Sequence, residues 1–395
     1  MISYELKQRI LDVFIPVLFL FFRILPLQNK IVATTMRGMN YADNPRYILE
    51  KFHELYPQIS CVWIRNGESN YFVPNWIKLV NRNNIIRYVY EYATAKVWID
   101  SHHLRSHLRK RNGQICIQTW HGGLGIKKIE GDLELDERRL KELEITCRFA
   151  DVFISNSLHL TNIYKTAFGY KGPILRCGYP KNEIEISTPV EFFEEFKKRL
   201  GIVGKKILLY APTFRDGFNQ DESIFETVYN LDFELLHQGL CSATGQDWVI
   251  LNKWHPIMEN IAQKHSKNYS FVIDVTHSGD MQQMLKVSDI LVSDYSSCIF
   301  DAAEQGVPCF TYTPDFESYK KNRGVYYEMT ELPFPNSNST ENLINSILNF
   351  NKSNYLAEWN LFKKRVGLVN NGNSAEIISK KIMDFLTNGR VSWMD

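Results

Sequence analysis

The sequence predicts an α/β protein made of two doubly wound, Rossmann-type domains. From about residue 30 onward, short and continuously apolar β-rich runs alternate with helical patterns. Strands with this pattern are buried on both faces, which indicates parallel sheets covered by helices on both sides. The runs form two series, separated near residues 180–205 by turn residues and a charged helix. Two such series predict two domains, and ligands of open α/β sheets bind beyond the carboxyl ends of the strands.

The individual elements follow from these runs. The predicted strands of the first series are 30–36, 60–64, 96–100, 114–119, 151–155 and 173–177, and those of the second are 206–211, 247–252, 271–275, 289–293 and 308–312. Helices are predicted between them, for example at 132–149, 157–167, 189–200, 280–287 and 297–305. We therefore expect an N-terminal helix in residues 1–29, a first α/β domain in 30–185, and a second in 186–395 with terminal helices. The sequence leaves open whether the last helix, about 373–388, returns to the first domain.

The composition fits a folded protein of about two domains. Of the 395 residues 44% are apolar, so a large core is expected and extensive disorder is not. With 46 Lys and Arg against 44 Asp and Glu, the net charge of +2 argues against a dedicated nucleic-acid binder. The seven cysteines are scattered without a Cys-x-x-Cys pair, which is typical of reduced thiols and not of a disulfide framework or a zinc site.

The most apolar stretch of the chain is residues 10–27, ILDVFIPVLFLFFRILPL. Two charges and two prolines interrupt it, so it is a marginal membrane-spanning helix. Lys7 and Arg9 precede it, as in a secretory signal, but no small-x-small cleavage site follows. We expect a helix that lies in the inner membrane surface, so that a cytosolic body is held at the membrane as a peripheral protein. The alternative is a helix packed on the protein's own core.

The first chemical motif follows the 114–119 strand and reads Thr-Trp-His-Gly-Gly-Leu-Gly at 119–125. It places His121 at a strand end within a glycine-rich turn, where a backbone can approach a ligand closely. Imidazole is the side chain most easily poised as a general base near neutral pH. His121 is therefore a candidate base, and the alternative is a loop histidine that caps the next helix.

Two further strand ends carry cations. Tyr-Ala-Pro-Thr-Phe-Arg-Asp at 210–216 places Arg215 in a loop, and arginine offers a fixed fork of donors for phosphate oxygens. Lys253 and His255 follow the 247–252 strand, where they could stabilise the charge of a pyrophosphate leaving group. The alternatives are a surface Arg–Asp pair and chance clustering.

The fourth motif, Ser-Asp-Tyr-Ser-Ser-Cys-Ile-Phe-Asp at 293–301, spans a strand end and a helix start. Ser296 or Ser297 would cap this helix and leave backbone N–H groups for a phosphate. Asp301 lies one turn further along the same face and could accept a hydrogen bond from a ligand hydroxyl. Plain helix capping explains the serines equally well.

The four motifs form part of a longer ordered set. Its members share their order along the chain and are Gly38 with Tyr41-Ala42-Asp43-Asn44-Pro45, Trp120-His121-Gly122 followed by Lys127-Lys128-Ile129, Gly178-Tyr179-Pro180-Lys181-Asn182, Tyr210-Ala211-Pro212-Thr213-Phe214-Arg215-Asp216, His255-Pro256, and Asp294-Tyr295-Ser296-Ser297 with Asp301. With this set the chain resembles the CDP-glycerol glycerophosphotransferase family, which builds teichoic acids and related polyol-phosphate polymers. The resemblance covers about residues 30–310.

The resemblance implies a GT-B-like fold, with two domains facing a central cleft and membrane attachment through the first. It implies transfer of glycerol phosphate from CDP-glycerol to a hydroxyl group of a lipid-linked saccharide or polyol-phosphate acceptor, with release of CMP, in teichoic acid or capsule-like polymer synthesis. His121 is then the catalytic base and His255 the second essential histidine. The substrate-binding residues implied in the same way are Gly122, Lys181, Phe214, Arg215, Lys253, Trp254, Ser296, Ser297 and Asp301. Neither a metal nor a cofactor is expected.

The chain departs from the family pattern at two positions. Gly123-Leu124-Gly125 stands where Thr-Pro-Leu is common, which puts the identity of the acceptor in doubt. Lys181 stands where arginine is frequent, so the charge is kept without the bidentate geometry. The extra N-terminal region of long polymerases is not expected here, so a primer-adding enzyme or a capsule transferase is as well supported as a polymerase.

Two other functions stay open at this point. One is a GT-B glycosyltransferase that uses a nucleotide sugar, since a fold does not fix a function. The other is a membrane-docked nucleotide-binding protein without catalysis, which would require neither His121 nor His255. The oligomeric state is not predicted.

Overall fold

The computed structural model describes residues 14–67, 71–183, 190–215, 228–255, 258 and 269–393. The chain divides into two compact units. The first consists of Met1–His121, Glu130–Glu183 and Val369–Asp395, and the second of Gly122–Ile129 and Ile184–Leu368. Each unit contains one sheet of parallel strands with flanking helices, so the predicted α/β fold class with two doubly wound sheets is confirmed.

The first unit has a seven-stranded parallel sheet. Its strands are β1 (Gln28–Thr34), β2 (Ser60–Arg65), β3 (Ile77–Asn81), β4 (Ala95–Asp100), β5 (Ile115–Gln118), β6 (Val152–Ser155) and β7 (Ile174–Arg176). They pair in the order β3-β2-β1-β4-β5-β6-β7. Strand β3 was not predicted because it is an edge strand, and only Ile77 and Val80 of its five residues are buried, without the continuous apolar run of its neighbours.

Three helices of the first unit begin at side-chain caps. The helices of this unit are α1 (14–22), α2 (Asp43–Leu55), α3 (Ile85–Thr94), α4 (Glu137–Phe149) and α5 (Leu158–Thr166), together with the C-terminal helix α13 (Ser374–Asn388). The side chains of Asn84, Asp136 and Ser157 accept hydrogen bonds from the first turns of α3, α4 and α5. Such caps satisfy backbone N–H groups that have no partner within the helix.

Helix α1 is part of the core of the first unit. Ile15 and Phe19 are buried and pack in one cluster with Val32 of β1 and Trp98 of β4. The opposite face stays apolar and exposed, and its large side chains are Phe14, Val17, Leu20 and Phe21. The packed-core alternative therefore holds for one face of this helix, while residues 1–13 lie outside the described part. Within that part, no helix combines the length and the apolar character needed to cross a membrane.

The second unit has a six-stranded parallel sheet. Its strands are β8 (Lys206–Ala211), β9 (Trp248–Asn252), β10 (Val272–Asp274), β11 (Ile290–Ser293), β12 (Cys309–Tyr312) and β13 (Asn336–Ser337), paired in the order β10-β9-β8-β11-β12-β13. Its helices are α6 (Val190–Leu200), α7 (Phe233–Thr244), α8 (Met281–Val287), α9 (Cys298–Glu304), α10 (Phe316–Arg323), α11 (Thr340–Leu348) and α12 (Lys352–Val366). Strand β13 has only two residues, too few for a sequence pattern to mark it.

Two segments cross the predicted boundary between 185 and 186. The terminal helix α13 was assigned to the second domain, but it lies in the first unit because Ile378 and Ile382 are fully buried there. The backbone N–H of Val369 also donates to the carbonyl oxygen of Asn156 at 2.7 Å. In the other direction, Gly122–Ile129 belongs to the second unit. Its backbone pairs with residues 324–326 through Lys128 N–H to Gly324 O at 3.1 Å and Tyr326 N–H to Ile126 O at 2.7 Å.

We expect Phe19→Ala to lower the free energy of unfolding of the first unit by about 3–5 kcal/mol, because it removes a fully buried ring from a packed core. Phe21→Ala is the matched control, since Phe21 lies on the same helix with 62% of its surface exposed. Chemical denaturation followed by circular dichroism measures both. Equal stability of the two variants would show that α1 does not belong to the core.

Candidate active site

Strained backbone marks one region of the first unit. The non-glycine residues with left-handed φ angles in the described part of the chain are Met36, Arg37, Asp43, Trp120 and Glu130, with φ between 43° and 63°. All of them belong to the first unit. Such conformations cost of order 1–3 kcal/mol each and cluster at functional sites. This clustering points to a site around the loops that carry them.

His121 lies immediately after the strained Trp120, beyond the carboxyl end of β5. Its Nδ1 is 3.0 Å from the backbone carbonyl oxygen of Ser101. A carbonyl oxygen only accepts, so Nδ1 carries the proton and the lone pair of the neutral ring lies on Nε2. His121 is exposed, and this tautomer suits a general base that acts through Nε2.

A second imidazole stacks on this base. The rings of His102 and His121 lie parallel within 14°, with centroids 4.1 Å apart. The backbone N–H of Met36 donates to His102 Nδ1 at 3.2 Å, so the proton of the neutral His102 ring lies on Nε2. Burial, and then the neighbouring His121, hold the pKa of His102 well below its usual range. His102 is not among the predicted site residues, although its place two residues after the end of β4 was a signal.

Lys181 holds the backbone of the base. Its Nζ donates to the carbonyl oxygen of His121 at 3.0 Å and lies 3.8 Å from Asp43 Oδ1. Asn44 adds a link, because its side-chain amide donates to Trp120 O at 3.4 Å and accepts from the backbone N–H of Lys181 at 3.2 Å. Lys181 is 6% exposed. This geometry gives Lys181, Asp43 and Asn44 a positioning role at His121.

Arg215 is buried, in contrast to the expectation that it projects from its loop. Its Nε and Nη2 donate to the carboxylate of Asp315 at 2.8 and 3.1 Å, and Nη1 donates to Asp294 Oδ2 at 2.8 Å. The guanidinium also lies 4.7 Å from the ring centroid of Tyr295 and 4.8 Å from that of Tyr319. These two carboxylates hold the pKa of Arg215 above its usual value although burial opposes this. The fork is occupied by protein carboxylates, and phosphate binding by Arg215 stays a prediction.

The ammonium group of Lys253 is also bound by groups of the protein itself. Its Nζ lies within hydrogen-bonding distance of three carbonyl oxygens, those of Val275 at 3.2 Å, Thr276 at 3.3 Å and Gly279 at 3.5 Å. Burial lowers the pKa of Lys253, while Asp280 and Asp274 oppose that effect. The ammonium group therefore holds the loop that follows β10.

His255 lies in the second unit near Lys127, a residue of the segment Gly122–Ile129, which we call the inserted segment. Burial, and then the charge of Lys127, lower the pKa of His255. Its ring centroid is 5.8 Å from that of Phe214. Lys127 belongs to one of the family motifs but is not among the predicted site residues. The backbone pairing of its segment explains how it comes into electrostatic range of His255.

The predicted residues Ser296, Ser297 and Asp301 lie just before or within α9. Ser297 is the N-cap of α9 but makes no side-chain capping bond, while the Ser296 hydroxyl accepts from Cys298 N–H at 3.4 Å. Asp301 is 3% exposed and accepts from the side-chain amide of Gln282 at 3.5 Å.

Trp254 is a core residue by its environment. It is 6% exposed, and its ring centroid is 5.4 Å from that of Tyr229. Gly122 begins the inserted segment. No group of three His, Cys, Asp or Glu residues that could hold a metal occurs in the described residues.

Comparison with known proteins identifies the family. The family described as CDP-Glycerol:Poly(glycerophosphate) glycerophosphotransferase matches residues 17–384. The chain belongs to this family. Its motif resemblance is thereby confirmed, as is its assignment to the glycerophosphotransferase enzymes.

Curated relatives match most of the chain. A teichoic acid poly(glycerol phosphate) polymerase of Staphylococcus epidermidis is 30% identical over 90% of this chain, which spans 50% of that protein. A polymerase of the same name from Bacillus spizizenii is 29% identical, with 92% of this chain and 93% of the relative covered. A teichoic acid glycerol-phosphate transferase of Staphylococcus aureus is 29% identical, with 91% and 94% covered.

Solved structures of the wall teichoic acid polymerase TagF share the fold. One is 26% identical to this chain with a TM-score of 0.83, covering 97% of this chain and 96% of that one. A TagF variant soaked with CDPG is 27% identical with a TM-score of 0.84, covering 98% and 97%. The GT-B-like fold that the motifs implied is confirmed by these matches.

We expect Arg215→Ala to destabilise the second unit by about 3–5 kcal/mol, because Asp294 and Asp315 would lose a buried counter-ion. Affinities for CDP-glycerol and for cytidine should then fall together, since the whole site is disturbed. Lys205→Ala is the control, because it removes only the exposed pair with Asp247 and should cost at most about 1 kcal/mol. Denaturation and calorimetric titration measure these effects. A stable Arg215→Ala that loses CDP-glycerol alone would restore the phosphate-binding role.

Proposed function

We propose that this chain transfers glycerol phosphate from CDP-glycerol to a hydroxyl group of a lipid-linked acceptor in teichoic acid or capsule-like polymer synthesis. The observation that carries the proposal is the fixed tautomer of His121, whose Nε2 holds the lone pair of a base. Family membership supports the donor, and a TagF structure soaked with CDPG adds to that support.

In the proposed reaction, a residue of the first unit accepts the proton of the acceptor hydroxyl. His121 Nε2 takes the proton of the acceptor hydroxyl, and that oxygen forms a bond to the β-phosphorus of CDP-glycerol. The bond from this phosphorus to the bridging oxygen breaks, and CMP leaves with that oxygen. Lys181 and Ser101 hold His121 from its backbone carbonyl and its Nδ1, so the base is oriented before the acceptor binds.

We assign the donor to the second unit. His255 and Lys127 supply a polar and a cationic group there, and Phe214 lies beside the His255 ring. Arg215 and Lys253 contribute indirectly. Arg215 fixes the loop that carries Ser296, and Lys253 fixes the loop that follows β10. Charge that develops on the leaving phosphate is best stabilised by groups that need no rearrangement.

The lipid-linked acceptor places the reaction at a membrane. The exposed apolar face of α1 leads directly into a segment with cations, where Arg23 donates to Lys110 O at 3.3 Å and Arg111 donates to Leu25 O at 2.8 Å. An apolar helix face bordered by cations fits the surface of an anionic bilayer. We therefore propose that α1 holds the protein as a peripheral protein at the cytoplasmic face of the cell membrane.

The direct test incubates the purified protein with CDP-glycerol and lipid-linked acceptors, and identifies the product by mass and phosphorus NMR. Transfer predicts a new phosphodiester and one CMP for each unit added. A product joined through a sugar carbon would favour the glycosyltransferase alternative. No CMP release with any acceptor would favour a non-catalytic nucleotide-binding protein.

His121→Ala should lower turnover by about two to four decades while CDP-glycerol still binds, because the variant loses only the base. His53→Ala is a matched control, since His53 also stacks on a ring of the first unit, that of Trp76 at 4.0 Å. CMP release and calorimetric titration give the two readouts. Near-normal turnover in His121→Ala would contradict the assignment.

Replacement of both Leu20 and Phe21 by serine should weaken binding to vesicles with anionic lipids by about tenfold or more, because two exposed apolar side chains are lost. Leu140→Ser is the control, as Leu140 is 50% exposed on α4. Co-sedimentation with vesicles measures the effect. Unchanged binding of the double variant would show that another surface contacts the membrane.

A further inference from the structure

Four arginines follow the carboxyl ends of four adjacent strands in the first unit. Arg65 ends β2 and Arg82 directly follows β3, while Arg37 and Arg105 lie in the loops after β1 and β4. The strand order β3-β2-β1-β4 makes these strands neighbours. All pairings are parallel, so the four arginines share one edge of the sheet. This is the edge at which α/β sheets bind ligands.

Three of these arginines form an excess of positive charge. Arg82 and Arg37 both lie within electrostatic range of Arg105, and burial, followed by these two charges, lowers the pKa of Arg105. Only Arg37 has a carboxylate partner among the described residues, Glu142 at 2.8 Å. Asp100 is close by, but burial raises its pKa to about 8, so it carries little negative charge at neutral pH.

The arginines also have unused donors. Within the described ranges, Arg82 Nη1 and Arg65 Nε are buried and have no hydrogen-bond partner. Arg82 and Arg105 are half-buried, and among the described residues neither forms an ion pair, although the carboxylate of Glu142, paired with Arg37, acts on Arg105 from a longer distance. Partly buried cations without a counter-ion are costly to a fold. An anion bound at this edge would supply the missing partners.

We propose that Arg37, Arg82 and Arg105 bind the phosphodiester groups of a polyol-phosphate acceptor chain. This inference rests on the proposed function and names the chemical class of its acceptor. Three cations at one edge of the sheet, with Glu142 as the only carboxylate that the described residues pair with them, can neutralise more than one phosphodiester, which fits a chain of phosphates better than a single one. The row also lies in the unit that carries His121, the residue proposed to receive the acceptor proton.

The test uses full-length protein and a soluble poly(glycerol phosphate) oligomer, with binding measured by calorimetric titration. Arg82→Gln and Arg105→Gln should each weaken oligomer binding by about tenfold or more, because a charge-assisted contact is lost. The affinity for CDP-glycerol should stay the same, and Arg82→Lys should recover part of the oligomer affinity. Arg87→Gln is the matched control, because Arg87 is exposed in the same unit and pairs with Glu91 at 3.1 Å.

A second measurement needs no variant. The oligomer should protect Arg82 and Arg105 of the wild-type protein from an arginine-specific dicarbonyl reagent, as read by mass spectrometry, and CDP-glycerol should not. Protection by CDP-glycerol alone would assign the row to the donor and overturn the proposal. Wild-type oligomer affinity in the Arg82→Gln, Arg105→Gln double variant would overturn it as well.

These readouts separate the two proposals, because none depends on turnover. If oligomer binding requires the arginines but no CMP is released, the result supports the phosphate-binding site and contradicts the proposed reaction. If the double variant transfers glycerol phosphate normally and its oligomer affinity is unchanged, the result contradicts the phosphate-binding site and supports the proposed reaction.

Discussion

Parallel strand pairing is the constraint on which the rest of this structure depends. In both sheets every strand runs in the same direction, so the residues that follow the strands collect at one edge of each sheet. In the first unit this edge carries His102, His121 and the row of arginines. In the second it carries the loops of Arg215, Lys253 and Ser296. Residues far apart in the sequence thereby share one side of a sheet, which is where α/β proteins bind their ligands.

The buried and half-buried cations discussed above divide into two kinds. Arg215 and Lys253 spend their donors on carboxylates and carbonyl oxygens of their own unit, and so hold loops in place. Lys30 does the same through Glu91, a buried carboxylate whose pKa is lowered by its lysine partners although burial opposes this. Arg82 and Arg105 have no such partners among the described residues. A cation that is paired with a carboxylate of the same unit stabilises the folded structure. A cation without such a partner is suited to bind an anion from solution.

The two stacked imidazoles show how hydrogen bonds assign chemistry to similar side chains. His121 donates from Nδ1 to the Ser101 carbonyl, whereas His102 accepts at Nδ1 from the Met36 N–H. The first ring therefore offers a lone pair at Nε2 and the second a proton. Because burial keeps His102 neutral, it does not add a positive charge beside the base. Strained residues at Met36 and Trp120 hold both rings in this arrangement.

The sequence by itself determined the two parallel sheets, most strand positions, the family motifs and the choice of His121 as the candidate base. Continuous apolar runs report burial on both faces directly, so strands such as β1 and β8 could be predicted from local pattern. Tertiary structure alone decided the surroundings of Arg215, Lys253 and Trp254. Whether a cation meets a ligand or a carboxylate depends on residues such as Asp315, a hundred positions away from Arg215. It also decided that α13 joins the first unit and that α1 has a buried face, because burial is set by what packs against a helix and not by the helix itself.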